Sequence, residues 1–95
     1  MKYIESRASE HSTNLELEIK KLQKKFRDLR ITYYYDDEDL FIDMKQYNKT
    51  TNQETVWSFC VDFGTNAIYM LDPREKTLDY FSSDNEIAKI IADEL

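Results

Sequence analysis

Cys60 and His11 are the only cysteine and histidine in the chain, so they are its only candidates for a thiol nucleophile and an imidazole base. A thiol becomes a useful nucleophile when an imidazolium or another positive group lowers its pKa. These two are far apart in sequence, and His11 falls in a polar N-terminal stretch. A lone cysteine within an apolar strand is usually a small buried hydrophobe, and Cys60 is read that way. One cysteine also excludes an intramolecular disulfide and any multi-cysteine zinc site.

The other chemistry-bearing runs lack the geometry their chemistry needs. Asp36-Asp37-Glu38-Asp39 is dense in carboxylates, but a calcium loop alternates its acids around a central glycine and closes on a glutamate. This run has neither feature, and it reads as a charged hairpin turn. No pair of carboxylates lies in apolar surroundings of the kind that raise one pKa for acid catalysis. A single glycine, Gly64, cannot build a phosphate-binding loop. The six Lys/Arg residues from Lys20 to Arg30 spread around the solvent side of a helical wheel and form no ridge for nucleic acid. Asn48-Lys49-Thr50 matches a glycosylation sequon, which carries no weight without a secretion signal. Neither catalysis nor a metal or other cofactor is expected.

The elements that position these residues follow from periodicity. Residues 1–12 are mixed and polar, an arm to be partly ordered by docking Tyr3 and Ile4. Thr13 and Glu16 fit a capping box. Beyond them Leu15, Ile19, Leu22, Phe26 and Leu29 recur every three or four residues, which predicts a helix to about Arg30. Leu17 lies opposite that stripe, either as a single exposed leucine or as one covered by the arm or a second subunit.

Ile31 to Asp36 is rich in β-branched and aromatic residues and predicts a strand. Leu40 to Tyr47 alternates, and so does Val56 to Phe63, with Trp57, Phe59, Val61 and Phe63 on one face. Gly64-Thr65-Asn66 supplies a turn that tolerates positive φ, and Ala67 to Leu71 returns as the second arm of a central hairpin. Asp72-Pro73-Arg74-Glu75 is a further turn, and Thr77 to Phe81 a last short strand. Ser83 and Glu86 fit a second capping box before Ile87, Ile90, Ile91 and Leu95, the apolar side of a C-terminal helix. The expectation is therefore one α+β domain over residues 13–95: helix, five-stranded antiparallel meander, helix (α-β-β-β-β-β-α), with both helices packed on one face of the sheet.

Parity assigns the two faces. Ile31, Tyr33, Leu40, Ile42, Met44, Trp57, Phe59, Val61 and Phe63 should lie beneath the helices. Ile68/Met70 and Tyr69/Leu71 are equally apolar, so the orientation of that strand stays open. Tyr34, Asp36, Phe41, Asp43, Tyr47, Val56 and Asp62 fall on the opposite face, with Asp79 and Phe81 assigned there too. That face interleaves large aromatics with aspartates, where a plain solvated sheet would carry Thr, Lys and Glu. Tyrosine tolerates partial exposure, so the pattern fits either an ordinary aromatic-rich sheet or a contact surface.

The formal net charge of −6 disfavours nucleic acid and anionic membrane as partners. The chain lacks an apolar run of membrane-spanning length and begins without a signal-like stretch, so a cytoplasmic location is expected. Bias toward Lys, Asn, Ile and Tyr fits an AT-rich bacterial or phage genome. The reading taken is a small acidic protein-binding module, of inhibitor, immunity or accessory type, that meets a protein with a basic surface. Its expected contact residues are Tyr34, Asp36, Asp37, Glu38, Asp39, Phe41, Asp43 and Tyr47. The alternatives are a structural homodimer without catalytic activity, or a nucleic-acid mimic that blocks a DNA- or RNA-binding protein.

Overall fold

In the computed structural model, residues 12–26 and 28–95 are described, and the expected arm lies outside them except for Ser12. The first helix, α1, spans Ser12–Lys25. Thr13 therefore stands inside the helix and not at its cap. The expected end near Arg30 is also corrected. The apolar stripe does run on through Phe26 to Leu29, but Leu29 is the first residue of β1 (Leu29–Asp36), where it is buried in the core. The Phe26 N–H still donates to the Leu22 carbonyl, and the Leu29 N–H to that of Phe26. A three-residue spacing suits a helix and the turn that leaves it equally well, so periodicity alone overran the boundary.

Strands β2 (Asp39–Asn48), β3 (Gln53–Asp62), β4 (Ala67–Asp72) and β5 (Lys76–Tyr80) follow, each antiparallel to the one before, in the spatial order β1-β2-β3-β4-β5. This is an open five-stranded meander, as short connections require. The first three turns each have a residue that holds a left-handed backbone. Asp37 takes φ 55° in the turn from β1 to β2, Asn52 φ 58° before β3, and Asn66 φ 58° before β4. Asn66, not Gly64, meets the conformational demand of the central hairpin. Asn48 organises its loop by accepting the Thr50 and Thr51 N–H groups on Oδ1, at 2.9 and 3.2 Å. The Asp72–Pro73 peptide is cis.

A 3₁₀ turn (Asp84–Glu86) leads into the second helix, α2 (Ile87–Ala92). The second expected capping box does not form. Ser83 makes no side-chain cap bond, and Glu86 instead accepts the Ser82 N–H at 2.8 Å.

Both helices cover one face of the sheet. Leu22 of α1 and Ile87, Ala88 and Ile91 of α2 share a single core with Leu40, Ile42, Met44, Phe59, Val61 and Phe63. Trp57, Ile31 and Tyr33 are half-buried at its margins. Strand β4 resolves its own ambiguity: Ile68 and Met70 point into the core, while Leu71 is exposed. Phe81 corrects its sequence assignment. It is buried and meets Phe63 edge-on at 5.7 Å and 82°. The cause is a bulge in β5. Asp79 opposes Ile68 while Thr77 opposes Tyr69, so Leu78 is the extra residue and parity slips across it. By register Asp79 then belongs to the helix-covered side, although at the edge of the sheet it remains exposed.

Candidate functional site: the open sheet face

The face of the sheet away from the helices is built from cross-strand rows whose members the pairing register fixes. One row joins Tyr34, Phe41, Cys60, Tyr69 and Thr77 across all five strands. The next, toward the turn, joins Asp36, Asp39 and Asp62. On the other side lie Thr32, Asp43, Ser58 and Asp72, followed by Arg30, Lys45 and Val56. Successive rows are about 7 Å apart, two residues along a strand. The face is thus graded from carboxylates to aromatics, then to the row of Asp43 and Asp72, then to cations.

The aromatic row begins with a true ring stack. Tyr34 and Phe41 lie 5.1 Å apart between centroids with 16° between their planes. Tyr34 is nonetheless 55% exposed, because β1 is the edge of the sheet and no neighbouring strand covers its far side. Cys60 follows at 8% exposure between Phe41 and Tyr69 in register. Burial pushes its thiol up to about 11, with help from the Asp39 and Asp62 charges. It is the inert, packed cysteine expected from its strand.

Asp43 accepts a hydrogen bond from the Ser58 hydroxyl at 2.7 Å, which holds its carboxylate in place across the strand pair. Asp39 is half-buried, and its pKa is raised by that burial and then by Asp62, Asp36, Asp37 and Glu38. Asp62 accepts the Gly64 N–H at 2.8 Å and the Thr65 N–H at 3.3 Å. A methyl group at Gly64 would stand 2.7 Å from a Glu38 carboxylate oxygen, so the acidic β1–β2 turn and the β3–β4 turn are in close contact. The Phe63 N–H to Glu38 carbonyl bond ties them together at 3.0 Å.

Seven of the eight expected contact residues therefore cluster at one end of the face. Tyr47 does not join them. It is six residues beyond Phe41 on β2, about 20 Å away by strand rise, and its hydroxyl bonds Asn52. Asp62 belongs with the cluster and was missing from the expected contact set. Its outward parity was legible, but its pairing with Asp39 needed the register of β2 on β3. No group of three or more His, Cys, Asp or Glu among the described residues is arranged to hold a metal ion.

Two features lie on the helix side. Leu17 is 55% exposed and lines a groove of about 850 Å³ between α1 and the 3₁₀ turn, with Lys20, Lys21 and Lys24 on one wall. Glu18, a carboxylate on the margin of the apolar stripe, is buried and pairs with the exposed Lys21 at 2.7 Å. The same wheel that placed Leu17 outside would have flagged Glu18 as near the core. No helix among the described residues is long and apolar enough to cross a membrane. No protein-family model, curated protein or solved structure matches the chain.

Proposed function

We propose that this protein is a small acidic binding module whose open sheet face receives another protein, and that it performs no catalysis. The observation that carries the reading is the Tyr34–Phe41 stack, half-exposed between the row Asp36–Asp39–Asp62 and the fixed carboxylate of Asp43. Aromatics with polar tips, set on a rigid sheet and ringed by charge, are the composition of a protein interface. The packed, high-pKa Cys60 supports the non-catalytic part. The carboxylates would steer and orient a basic partner, and the rings would supply the area removed from water.

Affinity capture from cells, comparing the natural protein with two variants, tests this. Asp36 and Glu38 are exposed, whereas Asp37 holds a positive φ and Asp43 a hydrogen bond. The variants are therefore Asp36→Lys with Glu38→Lys, and separately Tyr34→Ser. A protein retained by the natural chain should be lost by both variants. Their Tm should stay within about 4 °C, since surface substitutions shift stability by about 0.5 kcal/mol or less. An unchanged set of captured proteins would sink the proposal.

A further inference from the structure

The chemistry of the graded face selects one kind of side chain. We propose that it takes an arginine of its partner, with the guanidinium stacked on the free face of Tyr34 and bonded to the Asp36 carboxylate. This assignment rests on the open-face reading above.

Phe41 covers one face of the Tyr34 ring, and no described strand covers the other. Asp36 lies two residues further along β1 on the same side of the sheet, is exposed, and takes part in neither ion pair found among the described residues. The Cα atoms of Tyr34 and Asp36 are therefore about 7 Å apart along the strand, the spacing of one pleat. A guanidinium is flat, weakly hydrated and carries a fork of donors, so it can lie on a ring while donating two bonds sideways to a carboxylate. An ammonium group is compact and strongly hydrated. It would keep the attraction to the carboxylates but gain little from the ring. Asp43, on the far flank of Phe41 and held by Ser58, adds a second fixed negative charge. The net charge of −6 draws a cationic segment in.

The probes are a short Gly/Ser peptide carrying spaced arginines and the same peptide with lysines at those positions. Each is titrated into the full isotope-labelled chain and followed by amide and aromatic NMR shifts. The arginine peptide should bind about threefold or more tightly than the lysine peptide, the size of an exposed cation–π contribution. Shifts should centre on Tyr34, Asp36 and Phe41. Tyr34→Leu should bring the two peptides to equal affinity, Tyr34→Phe should keep the preference, and Asp36→Asn should weaken both. Equal binding of the two peptides to the natural protein, absence of binding, or shifts centred on Glu75 and Asp79 would overturn the proposal. The comparison on the natural protein stands even if Tyr34→Leu misfolds. If arginine shows no advantage while the capture variants still lose their partner, only the arginine assignment fails. If those variants keep their partner, the face reading fails with it.

Discussion

Asn66 and Gly64 share one turn but meet different demands. Asn66 holds φ 58°, and its carbonyl accepts the Phe81 N–H at 2.9 Å, anchoring the chain beyond β5. A left-handed backbone suits Gly or Asn and strains a β-branched residue. Asn66→Gly should leave stability nearly unchanged, while Asn66→Val should cost roughly 1–2 kcal/mol, both read by urea denaturation. Equal costs would mean that the side chain, not the backbone, matters there. Two other residues set the alkaline limit. Tyr35 is pushed up to about 12 by burial, then by Tyr33 and Glu16, and Cys60 up to about 11. In the unfolded chain these groups ionise near their ordinary values of 10 and 9. Each raised pKa therefore favours the folded state fully below the ordinary value and loses that favour as pH rises toward the folded one. Stability should begin to fall above pH 9 and keep falling toward pH 12. Thermal unfolding at successive pH values checks this. Cys60 should resist thiol reagents at neutral pH in the folded protein and react once it unfolds.

At the scale of elements, α1 offers a controlled contrast. Leu22 is 3% exposed within the shared core and Leu17 is 55% exposed on the groove. Removing a buried leucine side chain costs about 2–5 kcal/mol through lost transfer energy and the cavity left behind. Leu22→Ala should fall in that range, and Leu17→Ala should shift stability by about 0.5 kcal/mol or less. Both are read from denaturant midpoints at constant slope. A large loss at Leu17 would show that something covers the groove in solution. The β5 bulge illustrates the same dependence on neighbours. Thr77 to Phe81 alternates plausibly by itself, but Phe81 reaches Phe63 only because Leu78 is inserted out of register.

For the whole molecule, the decisive property is how charge is distributed over two faces. Cations gather on α1, whereas carboxylates gather at the turn end of the open sheet face. Pairing that face with a copy whose strands run the same way would set Asp36, Asp39 and Asp62 against like charges, which disfavours that arrangement of a symmetric dimer. Light scattering over a hundredfold concentration range at low salt should return a monomer of 11.4 kDa. A stable dimer would shift the reading to self-association. High salt screens the carboxylates, so partner binding should weaken with ionic strength without disappearing, the aromatic contribution being insensitive to it.

Strict alternation over Leu40 to Met44 and Trp57 to Phe63, with turn residues between, determined from sequence alone that a meander would form and which side would face inward. Face assignment there is a local property, since one apolar face must leave water and the period of a strand is two. The helices were legible for the same reason. Tertiary structure alone decided where α1 stops, which side of β4 is buried and where Phe81 lies. Each depends on a competing neighbour: Leu29 is claimed by β1, Ile68 by Val61, and Phe81 by Phe63 after a bulge. The open face divides the same way. Its residue types were visible in the chain, but the union of Asp62 with Asp36 and Asp39, and the separation of Tyr47 from the rest, follow from strand register. Register is a relation between strands, so no single stretch of sequence contains it.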